Sequence, residues 1–159
     1  MKIAEAANDV IEGYAIMGKR PFKVRRFSQI AGKLWMGGFP VGQAPEDLQF
    51  VVNLHPAIGY GMHPKQILTC AIFMDGEELP EEKLLYLLAR HVNECRQHGT
   101  TLVHCQMGLN RSALVVALAL ILDGQPPADA IALLRARRGD AVLCNEYFEK
   151  WLLARNVGR

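Results

Sequence analysis

The residues best suited to do chemistry lie in one stretch, Val103-His104-Cys105-Gln106-Met107-Gly108-Leu109-Asn110-Arg111-Ser112. It follows the β-branched run Thr100 to Val103, which predicts a strand, and leads into Ala113 to Leu122, whose composition predicts a helix. A strand, a tight loop and a helix in that order make an anion cradle. Loop N–H groups converge over the helix N-terminus, and the positive end of the helix dipole adds to them. Arg111 can grip two phosphate oxygens through its planar fork, which a lysine could not do. The same field favours Cys105 as a thiolate, the nucleophilic form, and an exposed thiolate is also sensitive to oxidation. Gly108 allows the turn and a close backbone approach to the ligand.

The stretch reads H-C-x-x-G-x-x-R-S, which resembles the signature of the cysteine-dependent protein tyrosine phosphatase superfamily. The resemblance implies a role for each matching position. The match to Cys105 forms a phosphocysteine intermediate and the match to Arg111 clamps the phosphoryl group. The match to His104 orders the loop, and the match to Ser112 stabilises the thiolate and its departure during hydrolysis. Gln106, Met107, Gly108, Leu109 and Asn110 complete the phosphate-binding loop, and the chemistry implied needs no metal and no cofactor.

Such a reaction also needs an acid to protonate the leaving oxygen, because an alkoxide leaves poorly at neutral pH. Asp75 is the candidate. It lies about thirty residues before Cys105, at the end of a predicted strand, a placement similar to that of the acid in the dual-specificity branch of the superfamily. Glu77 and Glu78 share its loop and stay open as alternatives, as does a structural turn role for Asp75. Leu34-Trp35-Met36-Gly37-Gly38 and Asn145-Glu146-Tyr147-Phe148 look like the opening strand and the C-terminal helix start of that branch. Neither the W-P-D acid loop nor the phosphotyrosine-recognition loop of the larger tyrosine-specific enzymes is found.

The elements that must position these groups follow from periodicity. Ile3, Ala6, Ala7, Val10, Ile11 and Tyr14 are at helical spacing, predicting an N-terminal helical extension over residues 1–20 that ends near Gly18. Lys19 to Arg26 holds five basic residues in eight positions, a loop or edge strand whose charges either face solvent or steer a polyanion. Strands are predicted at Lys33 to Met36, Phe50 to Leu54 and Ile67 to Met74. Helices are predicted from Pro80 to Gly99, from Ala128 to Arg137, and after an N-cap at Asn145. Ile58, Tyr60 and Met62, in an irregular Gly- and Pro-bearing segment, are expected to fill core. The resulting fold class is α/β: a single domain over residues 1–159 with a short, largely parallel central sheet flanked by helices, its catalytic loop at a strand's C-terminal end.

With 159 residues, half of them hydrophobic and 21% charged, the chain has the balance of a globular domain. Its longest apolar run is too short to span a bilayer, and no signal peptide is recognised at the start, so a cytoplasmic address and no membrane partner are expected. Cys70, Cys95, Cys105 and Cys144 lack metal or disulfide spacing, and the three outside the loop are expected to be small buried hydrophobes. A net charge of +2 does not imply nucleic acid. The expected partner is a phosphoprotein substrate. An RNA 5′ end stays open, because Asn110 is also found in RNA 5′-triphosphatase relatives and the basic run would suit a polyanion. A phosphate-binding module without turnover, a phosphoinositide phosphatase and a sulfur-transfer or redox domain are further alternatives.

Overall fold

The computed structural model describes residues 1–157. A one-turn helix α1 (Ile3–Ala6) leads into a hairpin of β1 (Val10–Ala15) and β2 (Arg20–Arg25). The main sheet comprises β3 (Phe27–Ala31), β4 (Leu34–Gly37), β5 (Phe50–Asn53), β6 (Ile67–Cys70) and β7 (Thr101–His104), in the order β3-β4-β7-β5-β6. Within this sheet, among the described residues, only the β3–β4 pair is antiparallel. The remaining helices are α2 (Glu82–His98), α3 (Arg111–Leu122), α4 (Pro127–Arg138) and α5 (Glu146–Leu153).

Alternation along the strands divides the interior. Met36, Val52 and Val103 point to the face covered by α2 to α5, while Val51 and Leu102 point to the other, where Ile3 of α1, Phe27, Leu48 and Tyr60 cover them. Helix α3 is apolar all round, with every residue from Ser112 to Ile121 buried, so it can only run through the middle of the helical layer. That burial fixes its N-terminus, and Arg111 with it, beneath the C-terminal end of β7. There β7 is flanked by β4 and β5, with His104 in register with Gly37 on one side and Asn53 on the other.

The predicted N-terminal helix is corrected. Residues 3–6 are helical, but Val10–Ala15 form a strand paired with Arg20–Arg25. Ile11 is half-buried and Ala15 buried, while Val10, Glu12, Gly13 and Tyr14 are exposed, so two of the apolar residues assigned to a helical face lie on the open side of the hairpin, and Asn8-Asp9 interrupts the helix that a period of 3.6 would need. Gly13 lets the Phe22 ring of the opposite strand lie across the hairpin. The basic run is this edge strand. Predicted β6 is shorter than expected, ending at Cys70, so Ala71 to Asp75 form a loop. Cys70 is exposed rather than buried, Cys95 is buried, and Cys144 is half-buried. Of the irregular segment, Tyr60 is core, Met62 packs beside it and Ile58 is exposed.

Candidate active site

The loop after β7 is shaped by what holds its carbonyls. His104 Nδ1 lies 3.1 Å from Cys105 O, and Phe39 N donates to Gln106 O at 2.9 Å. Arg138 donates through Nη2 to Met107 O at 2.8 Å and through Nε to Gly108 O at 2.7 Å. Leu143 N donates to Leu109 O at 2.8 Å, and Leu114 N to Asn110 O at 2.8 Å. Six consecutive carbonyls are thus satisfied by groups outside the loop. Among the described residues, none of the N–H groups of residues 106–110 donates to a protein acceptor. With the carbonyls turned out, those donors are left for a ligand, which is the anion cradle expected from the sequence.

Gly108 is the hinge of this arrangement. Its φ is +71°, and a Cβ there would meet the backbone of Gly37 and the Arg138 guanidinium. A side chain is excluded by strain and by space at once.

Cys105 lies at the base, its Sγ 3.4 Å from Ser112 Oγ. Arg111, the first residue of α3, has a buried Nε with no partner in the protein. A buried donor left unpaired is costly, and an oxyanion in the cradle would satisfy it. His104 is fully buried; its Nε2 lies 2.7 Å from Tyr60 Oη, and its ring packs edge-on to Phe39 and Tyr60. Burial drives the imidazole pKa down to about 4 and pushes the Tyr60 phenol up, so both are neutral at pH 7. Nδ1–H then donates to the Cys105 carbonyl while Tyr60 donates its hydroxyl proton to Nε2.

Asp75 reaches the same place from the loop after β6. Its Oδ2 accepts from Asn110 Nδ2 at 3.0 Å and its Oδ1 from Asn145 Nδ2 at 2.8 Å. The backbone N–H of Asn145 donates to Asn110 Oδ1 at 2.9 Å, closing a ring of three residues. Asn145 also caps α5, its Oδ1 accepting from Tyr147 N and Phe148 N. A cavity of about 480 Å³ joins Cys105, Gln106, Met107, Leu109, Asn110, Arg111 and Asp75. Glu77 and Glu78 are not among its lining residues, whereas His55 is; burial and the neighbouring Arg111 charge lower the His55 pKa.

Residues 41–157 match the dual specificity phosphatase catalytic domain. The chain belongs to that family. A probable protein tyrosine phosphatase type IVA B of Dictyostelium discoideum is 36% identical over 74 residues, 44% of this chain and 45% of the relative. Protein tyrosine phosphatase PRL-1 of Trypanosoma cruzi is 44% identical over 55 residues, 34% of this chain and 30% of the relative. The chain therefore matches less than half the length of each. Among solved structures, Tk-PTP in the active form superposes with a TM-score of 0.66 at 22% identity, covering 82% of this chain and 97% of that one. A mouse putative dual specificity phosphatase complexed with zinc tungstate gives 0.63 at 19% identity, covering 80% and 86%. These likenesses are of fold.

Sequence reasoning missed Arg138, and it placed Tyr60 in the core without its bond to His104. Arg138 was one of three basic residues closing a helix, a pattern favoured by the helix dipole wherever the side chains point. It is buried, pinned to Met107, Gly108, Arg25 and Ser28, and burial lowers its pKa to about 10, which leaves it charged at neutral pH. The nearest available signal was its proximity to Gly139.

Proposed function

We propose that the protein hydrolyses phosphate monoesters on proteins, both phosphotyrosine and phosphoserine or phosphothreonine, by two-step transfer through Cys105. The thiolate attacks phosphorus, the phosphorus–oxygen bond to the leaving group breaks, and Asp75 gives that oxygen a proton. Water then attacks the phosphocysteine while Asp75 takes a proton from it; the sulfur–phosphorus bond breaks, releasing orthophosphate and restoring the Cys105 thiolate and the protonated Asp75. Arg111 and the free loop N–H groups hold the three equatorial oxygens throughout. Ser112, at hydrogen-bond reach of Sγ, stabilises the sulfur as a leaving group in the second step.

The observation that carries this reading is the placement of Asp75. Two amides bring a carboxylate from outside the loop into the cavity that contains Cys105 and Arg111. A module that merely bound phosphate would gain nothing from an acid there, since a carboxylate opposes anion binding. Asn110, the residue that suggested an RNA end, spends its side chain on Asp75 and Asn145. Of the basic run, the cavity is lined only by the apolar Phe22. Both features favour the protein substrate over the polynucleotide. No helix among the described residues is long and apolar enough to cross a membrane.

The test is phosphate release, in buffer with chelator, from phosphotyrosine and phosphothreonine peptides and from triphosphate-ended RNA. Wild type should act on both peptides, Cys105→Ser on neither, and Asp75→Asn should be slower on phosphothreonine by about 10²–10⁴-fold. Turnover by Cys105→Ser overturns the mechanism, and preference for RNA overturns the substrate class.

A further inference from the structure

The β1–β2 hairpin, outside the segment that matches the family, forms one wall of the cavity. Tyr14, Ala15, Ile16, Met17 and Phe22 line it opposite His55, Pro56 and Met74. Three of these side chains are apolar yet open to solvent: Tyr14 is 63% exposed, Ile16 83% and Met74 74%. They come from two elements far apart in sequence and meet at the rim of one opening whose floor carries Cys105 and Arg111. Apolar groups that converge on a polar floor, and that folding leaves uncovered, mark a surface completed by a ligand.

The hairpin is held where it is. Ala15, Phe22 and Val24 belong to the main core, Arg26 N donates to Asp9 O, and Arg138 Nη1 donates to Arg25 O at 2.7 Å. Its tip packs on the acid's support, because a Cβ at Gly18 would collide with Cys144, which lies 3.5 Å from Asn110 Nδ2. The wall is therefore fixed relative to both the phosphate loop and Asp75.

We propose that this hairpin selects the group that carries the phosphate, and that Tyr14, Ile16, Phe22 and Met74 form a slot favouring a flat aromatic carrier over a compact alkyl one. The inference rests on the phosphatase reading and names a preference within it. With the phosphate seated on the loop N–H groups and Arg111, the first atoms beyond the ester oxygen enter the slot. An aromatic ring there covers Tyr14 and Ile16, with the edge of Phe22 at the base, and meets the Met74 sulfur. A serine or threonine carrier reaches only as far as its β-carbon, with one methyl group in threonine, before the peptide backbone begins, and leaves the same side chains wet. A gain on the order of tenfold is the scale expected from covering part of three such side chains.

The experiment uses one peptide sequence with phosphotyrosine or phosphothreonine at the same position, and the double variant Tyr14→Ser/Ile16→Ser. Both residues are exposed, so the fold should survive, and an unchanged inhibition constant for orthophosphate reports an intact cradle. Turnover is read as the ratio of kcat/KM for the two peptides, and binding as the ratio of Kd on a Cys105→Ser background. The expected result is a wild-type preference for phosphotyrosine in both ratios, reduced at least fivefold by the hairpin substitutions with orthophosphate inhibition unchanged. An equal loss on both peptides, an unchanged ratio, or wild-type preference for phosphothreonine overturns the slot. A binding preference with no turnover by wild type upholds the slot while overturning the phosphatase reading, so the two failures are separable.

Discussion

Asn110 and Asp75 stand 35 positions apart, and the amide of the first donates to the carboxylate of the second at 3.0 Å. Asn110 belongs to the proposed phosphate loop, so this bond ties the proposed acid to that loop and would set its distance from a phosphoryl group seated there. Removing it should leave Asp75 present but less well aimed, and misplacement of a catalytic group by about 1 Å costs up to roughly 10²-fold. Asn110→Ala is expected to lower kcat on phosphothreonine peptides about tenfold or more, with KM and orthophosphate inhibition little changed. An ester of an acidic phenol, whose leaving oxygen needs no proton, should lose much less. Equal loss on both esters would indicate damage to the cradle rather than to the acid.

Arg138 should be the costliest surface-distant residue to change. Its guanidinium serves four acceptors, the carbonyls of Arg25, Met107 and Gly108 and the Ser28 hydroxyl. Arg138→Met would leave these acceptors buried and unpaired at about 1–3 kcal/mol each before relaxation, so a loss of at least about 3 kcal/mol in urea unfolding is expected. Arg138→Lys keeps the charge but not the fork. It should fold, and bind orthophosphate several-fold more weakly as the Met107 or Gly108 carbonyl turns toward the cavity. Unchanged orthophosphate affinity in that variant would show that the loop keeps its shape without the fork.

How far this could be read beforehand depended on the range of the interactions. Cys105, Gly108, Arg111 and Ser112 form their site within one short loop, so their spacing alone was informative, and Asn145 announced a helix start by a purely local cap. Asp75 was legible only as a carboxylate at a predicted strand end; what distinguishes it from Glu77 and Glu78 is that Asn110 and Asn145, distant in sequence, bond to it and that it lines the cavity. Arg138 and Tyr60 act on the loop from 30 and 44 positions away, a relation that no local pattern carries. The N-terminal segment failed for a different reason. Its apolar residues fit a period of 3.6, and pairing with Arg20–Arg25 overrides that pattern, leaving Val10 and Tyr14 exposed.

Gly108→Ala tests the loop backbone by itself. At φ +71° an alanine is strained by roughly 1–2 kcal/mol, and its methyl would push against Gly37 and Arg138. Because the carbonyl of Gly37 is part of the sheet, the loop is the part that yields. The variant should keep its helical circular dichroism, lose orthophosphate binding and lose turnover by more than about 10²-fold. Binding at wild-type strength would mean that the cradle does not depend on this conformation.

Acid stability should report on His104. In the folded chain the ring is neutral down to about pH 4, because burial outweighs the bond to the Cys105 carbonyl, which by itself favours the protonated ring. Once unfolded it takes a proton near its ordinary value of about 6.5. Between these limits the unfolded chain binds more protons than the folded one, so acidification across that window favours unfolding. Stability is greatest above pH 6.5 and falls progressively toward pH 4, by an amount on the order of 2–3 kcal/mol from this group alone. The measurement is urea unfolding at pH 7.0 and 4.5 for wild type and His104→Asn, which removes the titration while keeping an amide able to donate to the carbonyl. The variant is expected to be less stable at pH 7.0 but to lose less on acidification. An identical pH dependence in the two proteins would place the acid sensitivity elsewhere in the chain.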